Sequence, residues 1–210
     1  MKAETALAEL RASTRDEHDR IERVLRLTDP MPLARYAAVM AGFDAFLTAW
    51  EPRIRKALPA RLHDWFDARR RSAFAKADVE WLRGSAALEP PRWAAPAVLA
   101  LTLDGLVDAL GSLYVIEGSA LGGRVIAPQL KRDMGLERGA GATYFHGFGA
   151  DSGAMWQAFR TLAAAEIGES PATIAQACTS ARRTFEALIE TFACLDGMSS
   201  CAQSQDPARP

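Results

Sequence analysis

Almost nothing in this chain reads as a β-strand: sustained period-2 alternation is scarce, and hairpin punctuation of the Asn-Gly type is missing. Segments rich in Ala, Leu, Arg and Glu, which favour helix, are instead cut by short breakers. The breakers are Thr28-Asp29-Pro30-Met31-Pro32, Pro59, Glu89-Pro90-Pro91, Gly139-Ala140-Gly141 and Ser170-Pro171. Their spacing predicts helices over 3–27, 32–57, 61–83, 95–117, 119–134, 151–167 and 172–196. No internal repeat appears at solenoid periods. A chain of 210 residues with this pattern suits one all-α domain, a helical bundle over 1–200 able to enclose a small-molecule pocket. The polar, proline-bearing end, 201–210, is expected to be disordered.

The net charge of −1 offers no bulk field for nucleic acid or an anionic membrane, so neither is expected as a partner. Local basic groups can still pair with an anionic ligand. The start, Met1-Lys2-Ala3-Glu4, carries an acid early and does not read as a secretory signal. No run of apolar residues is long enough to span a bilayer. Cys178, Cys194 and Cys201 form no C-x-x-C pair and read as reduced thiols of a cytoplasmic protein.

Two segments stand out. On the first predicted helix, Leu7, Leu10, Thr14, His18, Ile21 and Leu25 fall within an arc of roughly 80°, a stripe suited to a core. His18 lies inside it, while Arg15, Asp16, Asp19, Arg20 and Arg23 flank it on the solvated side. An inward imidazole needs a partner. Glu22, one turn on, is placed to accept a hydrogen bond from one ring nitrogen and leave the other for a metal. Periodicity alone favours the plainer reading, a core histidine satisfied by Glu22.

The second segment runs Gly111-Ser112-Leu113-Tyr114-Val115-Ile116-Glu117-Gly118-Ser119-Ala120-Leu121-Gly122-Gly123-Arg124-Val125-Ile126. Its flanks are helical in pattern, yet Gly118, Gly122 and Gly123 each cost roughly 0.5–1 kcal/mol relative to alanine inside a helix. They are expected to kink or loosen it. Two readings stand side by side: close helix packing through Gly118 and Gly122, or a backbone left bare so that a flat ligand can approach. A phosphate loop is a poor match, because the run neither follows a strand nor carries the required glycine or lysine spacing.

Together these residues resemble the heme oxygenase family. Leu113 to Gly123 is similar to the distal-helix signature of its bacterial, biliverdin-forming branch, including enzymes that accompany bacteriophytochromes. Ser13-Thr14-Arg15-Asp16-Glu17-His18-Asp19 resembles the segment carrying the proximal heme ligand. Tyr144-Phe145-His146-Gly147-Phe148-Gly149 with Trp156 and Phe159, and Ala181-Arg182-Arg183-Thr184-Phe185, resemble further family segments. The likeness runs roughly from residue 7 to 196, and the combined motifs displace the plainer reading of His18.

The resemblance implies heme b as both cofactor and substrate, with His18 as axial iron ligand and Glu22 as its hydrogen-bond partner. Gly118, Ser119, Gly122 and Gly123 are implied to line the oxygen-binding face. Arg11, two turns before His18, is implied to meet a heme propionate, with Arg160 and Arg183 as lesser candidates and Tyr114 and Phe185 in the pocket. The implied reaction is that of an oxidoreductase: cleavage of heme to biliverdin with release of carbon monoxide and ferrous iron. It consumes O2 and reducing equivalents from a separate reductase or ferredoxin, and serves either a biliverdin-accepting photoreceptor or iron acquisition. Animal members carry aspartate directly after the first distal glycine, where this chain has Ser119. A non-catalytic heme carrier or sensor of the same fold is the alternative. A dimetal oxidase is disfavoured because Glu-x-x-His does not occur. His63 reads as a surface residue and His146 as structural.

Overall fold

The computed structural model describes residues 4–86 and 96–193, together with Leu195. The expectations placed on 201–210, Cys194, Cys201 and the Glu89-Pro90-Pro91 breaker lie outside the described residues. The helices are α1 (Glu4–Ser13), α2 (Arg15–Leu25), α3 (Leu33–Ala57), α4 (His63–Asp67), α5 (Ser72–Ala86) and α6 (Pro96–Leu99). They continue with α7 (Leu106–Ser119), α8 (Gly123–Met134), α9 (Thr143–His146), α10 (Ser152–Ile167) and α11 (Pro171–Phe192). Single 3-10 turns occupy Ala60–Leu62 and Gly149–Asp151. Among the described residues there is no strand, only isolated bridges from Glu137 to Ala140 and Gly141. The all-α expectation holds.

Three predicted helices prove to be divided, two of them by a single identifiable polar group. The segment predicted as one helix over 3–27 breaks at Thr14, whose buried hydroxyl donates to the Leu10 carbonyl at 2.7 Å. A back-bonded threonine bends or ends a helix. The segment 61–83 divides into α4 and α5 because Glu51, reaching across from α3, caps the second of them. Its carboxylate, 1 % exposed, accepts the backbone N–H groups of Arg71 and Ser72 at 2.7 and 2.8 Å. The segment 95–117 splits into α6 and α7, joined by a non-helical stretch at 101–105.

Helix α3 runs through the middle of the molecule, burying Tyr36, Phe43, Phe46, Trp50 and Ile54. Helices α7 and α11 pack most closely. A Cβ on Gly111 of α7 would stand 2.2 Å from the carbonyl oxygen of Ala177 on α11, so only glycine permits this approach. The next residue, buried Ser112, accepts the Trp50 indole N–H at 2.8 Å and shares a hydrogen bond of 2.7 Å with Thr184. Helices α1 and α2 lie against α11 as well, and α10 packs on α7. The element bearing His18 and the element bearing the glycine run therefore rest on one common helix.

Candidate functional site

On α2 the buried positions are Glu17, Ile21 and Leu25. With Leu10 and Thr14 they continue the stripe read in the sequence, Glu17 taking the buried place beside His18. His18 is consequently not an inward core residue: its side chain is 56 % exposed, at the edge of that face. Leu10, Thr14, Ile21 and Leu25 are buried as expected, and Leu7 is half-buried. The His18 ring meets Phe185 of α11 edge-on, with centroids 6.0 Å apart. Its Nε2 lies 3.8 Å from Glu22 and its Nδ1 3.9 Å from Asp19. Both distances exceed hydrogen-bonding range, so the Glu22 contact is an electrostatic neighbour rather than the bond expected. An accessible imidazole with carboxylates near both nitrogens can give one nitrogen to a metal and keep a carboxylate on the other.

Next to His18, Glu17 does what its sequence position hides. The carboxylate is buried and takes the Arg182 Nε–H at 2.9 Å, locking α2 onto α11. His18 is thereby held by an ion pair on one flank and an aromatic contact on another.

The glycine run loosens the chain where the sequence says it should. Helix α7 ends at Ser119, residues 120–122 form turns, and α8 restarts at Gly123. The glycines divide in role. Gly123 is buried, and a Cβ there would fall 2.0 Å from the Phe145 carbonyl oxygen, so packing against α9 demands glycine. A Cβ on Gly118 would meet only the Trp156 ring at 3.7 Å, an ordinary contact. On Gly122 the nearest atom would be the Ser119 carbonyl oxygen at 3.3 Å. Helix packing thus explains Gly111 and Gly123 but leaves Gly118 unexplained, which favours a bare backbone at that point.

Of the basic candidates, Arg11 of α1 and Arg160 of α10 both bear on Tyr114 of α7. Burial pushes the Tyr114 phenol up, and the two guanidiniums pull it back. Tyr114 also stands 5.8 Å from Trp156, ring to ring. Arg183 lies apart from this group, exposed, with its guanidinium donating to Thr102.

The residues that the sequence did not single out gather on the other side of the break. Arg69, Arg70 and Arg71 are three consecutive cations, yet Arg69 and Arg71 are 8 % and 5 % exposed. Arg69 pairs with Glu117 at 2.9 Å and donates to the Met155 carbonyl. Burial raises the Glu117 carboxyl above its ordinary range, and Arg69 partly offsets this. Arg71 donates to Ser119 Oγ and the Ile116 carbonyl, each at 3.2 Å, and to the Tyr144 carbonyl at 3.3 Å. Its guanidinium carbon sits 4.2 Å from the Tyr144 ring centroid. A cavity of about 20 Å³ lies here, lined in part by Arg71, Ile116 and Glu117, with room for one water. The remaining histidines divide: His63 is half-buried rather than on the surface, its Nε2 3.1 Å from the Leu58 carbonyl. His146 ends α9 with a buried Nε2.

The helical order and the two helices carried on α11 define a known architecture. The chain is similar to the crystal structure of heme oxygenase-1 from the cyanobacterium Synechocystis sp. PCC6803 in complex with heme, with a TM-score of 0.72 at 19% identity. That similarity covers 95% of this chain and 96% of the other. The fold is the single-domain heme oxygenase fold. The sequence profile of the heme oxygenase family matches residues 4–193, and the chain belongs to that family. No curated protein matches it in sequence.

Proposed function

We propose that the protein binds heme through His18 and cleaves it to biliverdin, carbon monoxide and ferrous iron, using O2 and electrons from a separate reductase or ferredoxin. The observation that carries this reading is His18 itself: an accessible imidazole, not hydrogen-bonded to backbone, set beside an aromatic wall on a helix fixed by Glu17–Arg182. Heme supplies the iron chemistry when bound. The chain's part is positioning. His18 would hold the iron through an imidazole nitrogen, Arg11 and Arg160 would offer charge to the propionates, and Gly118 with Ser119 and Gly122 would give the ligand a close, polar approach. Tyr114 and Phe185 form apolar walls. Such arginine–carboxylate contacts orient a macrocycle despite a nearly neutral protein.

Among the described residues no helix is long and apolar enough to cross a membrane. The test is hemin titration followed by ascorbate or a reductase in air. A Soret band that decays into biliverdin absorption is expected, and His18→Ala should lose that band while keeping its helical circular dichroism. A stable Soret band in the wild type would make the protein a heme carrier or sensor instead. Unchanged ligation in His18→Ala would overturn the assignment of the ligand.

A further inference from the structure

Gly118 is bare of a side chain, yet the space beside it is not open. A Cβ built there would meet Cη2 of Trp156 at 3.7 Å and Cζ3 at 3.9 Å, so the slot between the α7 backbone and the indole is one methyl wide. A flat macrocycle lying on that backbone needs about 3.5–4.0 Å to carbon on each of its two faces. The slot is too narrow for it. The indole stands where the proposed ligand has to lie.

Trp156 sits one turn into α10, and Arg160 follows one turn later on the same face. Both bear on Tyr114 of α7, the indole ring with centroids 5.8 Å apart and the guanidinium through its charge. A ligand reaching from Gly118 to Arg160 therefore has to pass the indole. The backbone at this point is pinned, because the Met155 carbonyl accepts both terminal nitrogens of buried Arg69 at 3.1 Å. The Trp156 side chain is freer. It is half-buried and held by ring contacts: the tilted one with Tyr114, and a stack on buried Phe159 with centroids 5.5 Å apart and planes 18° apart. Contacts of this kind bias a rotamer by about tenfold in population, enough to favour one position and too little to fix it.

We propose that Trp156 is a gate on the heme site, closed against Gly118 until its indole swings aside about the side-chain torsions and admits the macrocycle. The proposal rests on the heme-binding reading above. It is tested by stopped-flow mixing of the protein with carbon monoxide-ligated heme, and by following release to an excess of heme-free globin. A gate that is open for about a tenth of the time slows entry by the same factor. Trp156→Ala is therefore expected to raise the association rate constant about tenfold. Trp156→Phe, which keeps a ring on Phe159 but loses the edge that reaches Gly118, should raise it by a smaller factor.

Helical circular dichroism checks that both variants are folded, and Trp156→Phe carries the test if Trp156→Ala is not. Association no faster than in the wild type would overturn the gate and leave the heme reading standing. Faster release with unchanged association would do the same, by making Trp156 a fixed wall of the site. A wild-type protein that takes up no heme would sink both.

Discussion

Gly118 and Gly123 stand five positions apart in one run, yet substitution separates them. Gly123→Ala drives a methyl into the Phe145 backbone, which has no side-chain freedom to yield. The expected loss is about 1–3 kcal/mol, read as a lower urea midpoint. Gly118→Ala meets only ordinary contact and removes a flexible residue from α7. It should stabilise the heme-free protein by about 0.5 kcal/mol while weakening hemin binding, if Gly118 lines the ligand as proposed above. Equal stability losses in the two variants would show that Gly118 is also a packing residue. The residue scale also shows what a sequence can disclose. His18 and the glycine run were visible as residue types in unusual places. Arg71 was not, because three consecutive arginines look like a solvated charge run until Glu51 folds their backbone into a cap and turns two of them inward.

At the scale of elements, the existence of the helices was legible and their interruptions were not. Propensity and breakers marked every long segment, but Thr14 and the Arg69–Arg71 turn carry no proline or glycine. The first is broken by a hydroxyl bonded four residues back, the second by a carboxylate from another helix. On α2 the stripe itself was legible, but His18 stands at its edge because buried Glu17, held by Arg182, takes the inward place beside it. The junction of α3, α7 and α11 depends on a similarly small group. Ser112→Ala leaves the buried Trp50 N–H without its acceptor and removes the partner of Thr184. A cost of about 1–3 kcal/mol is expected, measured by chemical denaturation. A variant as stable as the wild type would mean that a water takes over the hydroxyl's place.

Across the whole molecule, the chain's 3 tyrosines report on the integrity of the bundle. Tyr36, Tyr114 and Tyr144 all have phenols pushed above their ordinary value, chiefly by burial. The folded protein therefore holds protons that the unfolded chain releases near its ordinary pKa of about 10. Stability from these groups is complete below that value and is lost as pH rises through the window above it. Tyrosinate absorption should rise together with the loss of helical circular dichroism on alkaline titration. Phenols that ionise while the helices persist would contradict the packing described. Tertiary burial of this kind has no local sequence signature, and the same holds for the way α2 and α7 both lie along α11. That shared support makes α11 a caliper: one rigid bar sets the gap between two jaws, neither of which touches it only at the tip. On the function proposed above, repacking its Ala177 face against Gly111 would change the width available to heme while leaving the residues assigned to touch it in place.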